Sequence, residues 1–236
     1  MLAGPCATLL HMRIAVLTGL AAAIAVLAGC GGSSSSGEAQ KSASQILTDA
    51  KAAAKSATSV HYVGTINQNG SSLHLDMQLV AGKGGTGTIT IGGHKIDIIR
   101  IGQKVYFRGD EAFYRQYAGA AAAKLLAGKW IAAPSATGNF ASFTPLTDIG
   151  KLFGLLKTEG TITKGAESTV DGQKVIAITS SKPGTGTLYV ATTGTSYPVE
   201  LAGPSSTSGS LHFSNWNSSV TLVAPKGAID LSKLSG

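Results

Sequence analysis

Between residues 72 and 81 the chain reads SLHLDMQLVA. Leu73, Leu75, Met77 and Leu79 fall on one side of a two-residue period, and His74, Asp76 and Gln78 on the other. That is the pattern of a strand with one dry face and one wet face. Similar runs cover 59–68, 87–91, 95–101 and 104–108, separated by Gly-Gly and Gly-Gln pairs. Connections of two or three residues make such neighbours antiparallel. A second series is expected over 160–169, 173–181, 186–192, 197–203, 208–216 and 219–223, with Asp171-Gly172 as one of its turns, and a short strand over 129–134.

Three stretches follow a helical period instead. In 43–59, Ile46, Leu47, Ala50, Ala53, Ala54 and Ala57 recur at spacings of three and four, with Ser42 or Ser44 as the cap. Residues 110–128 form a second candidate opened by Asp110-Glu111, and 145–157 a third, apolar over much of its surface. A sheet of about ten strands curls, and helices must cover its apolar face. The fold class is therefore α+β: a curved antiparallel half-barrel, its concave face covered by helices, in a single domain spanning 42–236.

The N-terminus has a different character. Arg13 precedes the apolar run Ile14–Gly29, short of the roughly 20 residues of a membrane span. Residues 1–29 read as a signal peptide, with Met12 as a plausible natural start. The run ends in Leu27-Ala28-Gly29-Cys30, which resembles the lipobox of bacterial lipoproteins. That resemblance implies diacylglyceryl transfer to Cys30 and cleavage before it, leaving the domain anchored on the extracytoplasmic face of the cell membrane. Residues 30–41 then serve as the lipidated cysteine and a Gly/Ser tether, with a reach of roughly 18 Å.

Composition adds mostly exclusions. The net charge is +7 and the pI about 9.4, but Lys and Arg are scattered singly, which fits a solvated basic surface and not a nucleic-acid site. Cys6 and Cys30 are the only cysteines, so the mature chain has no internal disulfide and no thiolate metal site. Gly82–Gly87 matches G-x-G-x-x-G, but a strand-like run follows where the dinucleotide motif needs a helix, so it reads as a hairpin turn. His61, His74, His94 and His212 form no H-x-x-x-H or H-E-x-x-H motif, and there is no G-x-S-x-G elbow. Asn69-Gly70-Ser71 and Asn217-Ser218-Ser219 match the glycosylation pattern by coincidence in a bacterial lipoprotein. The reading is non-catalytic, with no cofactor and no metal.

The order of features also carries a resemblance. Lipobox, tether and helix are followed by ATSVHYVGTI (57–66), a meander, KWIAAP (129–134), TPLTDIGKLFGLL (144–156), VDGQKVIAIT (170–179) and LYVATTGTSYPVEL (188–201). This series resembles the actinobacterial LppX/LprG lipoproteins, whose fold is like that of the carrier LolA. The resemblance implies an apolar cavity between half-barrel and helices that holds acyl chains of a lipid or glycolipid. Leu73, Leu75, Met77, Leu79, Ile96 and Ile98 would line it, and the helix of Leu152, Leu155 and Leu156 would be the lid. A sixteen-carbon chain leaves water with a gain of about 12 kcal/mol, so a carrier must enclose it. The Ala- and Gly-rich stretch 118–128 suits either an underfilled interior or close packing, and composition does not decide between them. The other functional class is an interaction or sensor lipoprotein with a filled core, docking on an envelope transporter or cell-wall enzyme.

Overall fold

The computed structural model describes residues 36–68, 70–136, 141, 143–154, 156 and 159–233. Strands β1 (Ser59–Gln68), β2 (Ser71–Val80), β3 (Gly84–Ile91), β4 (His94–Ile101), β5 (Lys104–Gly109) and β6 (Ile131–Pro134) form one meander. A second comprises β7 (Ile162–Val170), β8 (Gln173–Ser180), β9 (Thr187–Ala191), β10 (Pro198–Ala202) and β11 (Gly209–Ser214). β1 pairs with both β2 and β11, so the meanders fuse along it. With β12 (Ile229–Asp230), which runs parallel to β6, the sheet has twelve strands in the order β12-β6-β5-β4-β3-β2-β1-β11-β10-β9-β8-β7. It is open and curled, not a closed barrel.

One expected strand does not form. Residues 219–223 are irregular, because the chain leaves the sheet just before them. Asn215 and Asn217 adopt φ of 50° and 62°, the left-handed region that short polar side chains tolerate and strands do not. Asn217 is fastened there: its N–H donates to Ser59 O at 3.0 Å, and its Oδ1 accepts from Thr58 N at 2.8 Å.

Helix α1 (Ala43–Ser56) opens on a capping box, with Ser42 Oγ accepting from Gln45 N and Gln45 Oε1 accepting from Ser42 N. Helix α2 (Glu111–Leu126) is capped by Asp110, whose Oδ1 accepts from Phe113 N at 2.7 Å. Helix α3 (Ile149–Gly154) is shorter than expected and follows a 3-10 turn at Pro145–Thr147. β6 lies next to one edge of the sheet and β7 forms the other. The chain between them must therefore cross the concave face, and α3 lies on that crossing.

The expected tether ends earlier than residue 41. Ser36 N–H donates to Thr192 O at 2.9 Å. Glu38 is buried, with Oε1 accepting from Ser196 Oγ at 2.5 Å and from Lys41 Nζ at 2.6 Å. Lys164 Nζ donates to the carbonyls of Ala39 and Lys41. Residues 36–41 thus belong to the folded unit. The rest of the tether, Cys30 and the 1–29 leader lie outside the described residues. No helix among the described residues is long and apolar enough to cross a membrane.

Candidate functional site

The concave face divides into three sectors, each under one helix. In the middle, Ile149, Leu152 and Phe153 of α3 pack on Val60, Tyr62, Leu75, Met77, Leu79 and Phe213. Phe153, Phe213 and Trp216 add mutual ring contacts, with centroids 5.0–6.3 Å apart. Two polar side chains rise from the sheet to hold the segment before α3. Tyr62 Oη donates to Leu146 O at 2.6 Å, and burial pushes its phenol pKa up. Arg100 donates to Thr147 Oγ1 and Thr147 O at 2.8 Å and to Asp148 Oδ2 at 3.1 Å. A buried guanidinium needs such a complete set of acceptors, and this set fixes where the crossing chain lies.

Under α1, Ile46, Leu47 and Ala50 meet Ile176, Ile178, Leu188 and Val190. A cleft of about 350 Å³ opens at this rim, touched by Leu47, Leu156, Ile162 and Leu201, but also by Thr179, Ser180, Thr185 and the Lys182–Glu159 ion pair. Its edge is polar and wet.

The third sector is different in kind. A half-open cavity of about 360 Å³ lies between α2 and strands β3–β6. Ile89, Ile91, Ile96, Ile98, Phe107 and Ile131 supply the sheet side. Phe113, Tyr114, Tyr117, Ala118 and Leu126 supply the helix side, and Phe143 and Leu231 the ends. The volume falls within the roughly 300–1,000 Å³ of small-molecule sites. Phe113 stands directly over Gly109, where an added Cβ would sit 2.6 Å from its ring. That absent side chain is what lets the helix start so close to β5. The Tyr114 hydroxyl is buried against the Gly109 backbone, with no well-aligned hydrogen-bond partner among the described residues, and burial raises its pKa.

The sequence-predicted lining is therefore split. Ile96 and Ile98 line the α2 cavity. Leu75, Met77 and Leu79 are fully buried in the solid middle sector, and Leu73 packs at its margin. These four share the correct face of β2, but α3 fills the space above them. Leu152 belongs to the same solid core, and Leu156 reaches the α1 cleft. Leu155 lies outside the described residues. The expected lid, α3, is a plug, and the helix that covers a cavity is α2. The sequence reading missed the aromatic trio Phe113, Tyr114 and Tyr117, whose i, i+1, i+4 spacing on an otherwise alanine-rich helix was the available signal.

The convex face carries the polar residues. His61 Nε2 lies 2.8 Å from Asp76 Oδ1 and His61 Nδ1 3.3 Å from Ser214 Oγ. His212 Nδ1 lies 2.7 Å from Asp171 Oδ2, and His74 Nδ1 3.1 Å from Thr65 Oγ1. These rows of serine, histidine and aspartate sit on a sheet face, and β1 and β11 are paired on both sides. Their backbone N–H groups are spent in the ladder and cannot stabilise an oxyanion. No cluster of metal-ligating side chains occurs among the described residues.

An open curled antiparallel sheet with an apolar cavity under a helix defines the fold class of this domain. Among solved structures, this chain is similar to LprF from Mycobacterium bovis, with a TM-score of 0.54 and 16% identity over 78% of this chain and 97% of that one. It is also similar to the Mycobacterium tuberculosis lipoprotein LppX, with a TM-score of 0.49 and 16% identity over 76% and 99%. The Pseudomonas aeruginosa MucA/MucB complex matches with a TM-score of 0.37 and 14% identity, covering 76% of this chain and 58% of that one. No family model matches the chain, and no curated protein does. The likeness to LprF is one of fold.

Proposed function

We propose that this protein is a non-catalytic lipoprotein, anchored through Cys30 to the extracytoplasmic face of the cell membrane, that holds an acyl chain of a lipid or glycolipid in the α2 cavity. The observation that carries this reading is the cavity itself, walled by isoleucines and phenylalanines and covered by a helix. Each methylene moved into it from water contributes about 0.8 kcal/mol. The fold shared with LprF supports the reading. The filled middle sector favours the second reading, a docking module that carries no ligand.

Organic extraction and mass spectrometry of the purified protein separate the two. The carrier reading expects bound lipid that is lost in Ile91→Asp, on the cavity wall, and kept in Ile99→Asp, on the opposite face of the neighbouring strand. Wild-type lipid content in Ile91→Asp, or a protein that never carries lipid, overturns the carrier and leaves the docking module.

A further inference from the structure

Three large hydrophobic side chains are exposed among the described residues: Tyr117 (51%), Leu125 (65%) and Val223 (66%). Two of them stand on α2. Ala118, Ala120 and Ala121 of the same helix are exposed as well. Tyr117 and Ala118 stand at the cavity mouth and reach solvent there, Tyr114 and Ala123 turn into the domain, and Ala120, Ala121 and Leu125 face outward. Midway, Gly119 takes φ 85° and ψ 166°, a conformation open essentially only to glycine, so the exposed residues sit on two short helical arms.

At the start of α2, Asp110 caps the helix and lies 3.9 Å from His94 Nδ1; further along, the unpaired charge is positive. Arg115 is held by Glu111. Lys124 on the second arm and Lys129 just beyond it pair with no carboxylate among the described residues, and the whole chain carries +7. Aliphatic and aromatic side chains flanked by unneutralised lysines suit the boundary between headgroups and acyl chains. We infer that the outer face of α2 docks on an anionic lipid surface, so that the helix covering the cavity is also the part of the domain that meets the membrane. This rests on the carrier reading above, since a lipid must pass between bilayer and cavity.

A chain lacking residues 1–32 retains the whole compact unit Ser33–Gly236 and removes the anchor from the experiment. That chain is expected to sediment with vesicles of phosphatidylcholine and phosphatidylglycerol, not with phosphatidylcholine alone, and to be released by salt. Lys124→Gln and Lys129→Gln should each weaken partitioning about fivefold, and Leu125→Ser about tenfold or more. Leu125 is exposed, so its variant should melt with the parent. Equal binding to neutral vesicles, no binding, or self-association that depends on Leu125 would each overturn the inference. A domain that retains lipid but ignores vesicles sinks the docking surface alone; one that binds vesicles but never holds lipid sinks the carrier alone.

Discussion

Helices α1 and α2 are both rich in alanine and both lie on the concave face, yet α1 is seated on a filled core with a polar-edged cleft at its rim, and α2 stands over an apolar cavity. In α1, Ala50 and Ala54 are completely buried, and Ile46 and Leu47 fill the space beside them. In α2, Ala123 is buried while Ala118, Ala120 and Ala121 face solvent. The bulky residues Phe113 and Tyr114 stand between helix and sheet, and Gly119 breaks the helix into two arms. Alanine content therefore does not decide between dense core and cavity. What decides is where the large side chains stand and whether the helix is continuous.

The largest expected effect tests that contrast in the sheet itself. Leu75→Ala, under α3, removes a side chain with neighbours on every side and should cost about 3–5 kcal/mol in denaturant unfolding. Ile96→Ala removes a cavity wall residue that already lacks partners on one side, and should cost about 2 kcal/mol. Equal losses would mean that the α2 sector is packed like the middle.

Much of this architecture was legible in the chain. Period-two alternation placed β2 and its neighbours, and Asp110 and the choice of Ser42 or Ser44 marked the helix starts, because strand faces and caps are set by local chemistry. The sector that is empty was not legible. β2 and β4 show the same alternation, but which stretch of sheet α3 covers is set by contacts distant in sequence. Arg100 reaches Thr147 and Asp148, and Tyr62 reaches Leu146. Period two puts Arg100 on the inward face with Ile96 and Ile98, but only the crossing connection shows which acceptors it meets there. The lost strand at 219–223 has the same origin, since Asn217 departs from the sheet through bonds to Thr58 and Ser59.

Enlarging alanines should sharpen the comparison between the helices. Ala50→Leu forces a larger side chain into a filled interface and should cost about 1–3 kcal/mol. Ala118→Leu, beside the cavity and partly in solvent, should change stability by less than about 0.5 kcal/mol. Thermal unfolding of both variants checks this. A strongly destabilised Ala118→Leu would show that α2 is seated as tightly as α1.

The smallest effect concerns how the cavity is closed at its end. Leu231, which lines it, follows directly on β12, the two-residue strand beside β6. Asp230 accepts from Ser232 Oγ at 2.6 Å and from Lys104 Nζ at 3.0 Å, and these bonds lower its pKa from 3.8 to about 2. A carboxyl whose folded pKa lies below its unfolded value binds its proton more readily when unfolded. Its contribution is therefore fully present above about pH 4 and is lost as pH falls toward about 2. Lys104 is about half exposed and the pair sits at the edge of the sheet, so the effect on global stability is small. It should show locally: hydrogen-exchange protection at Ile229–Leu231 and in β6, corrected for the intrinsic rate, should fall over that interval, while protection in α3 holds. Asp230→Asn should show low protection at both ends of the interval and so flatten the dependence. If wild-type protection in β6 stayed constant there, the Lys104–Asp230 pair would have no part in holding β12 against the cavity.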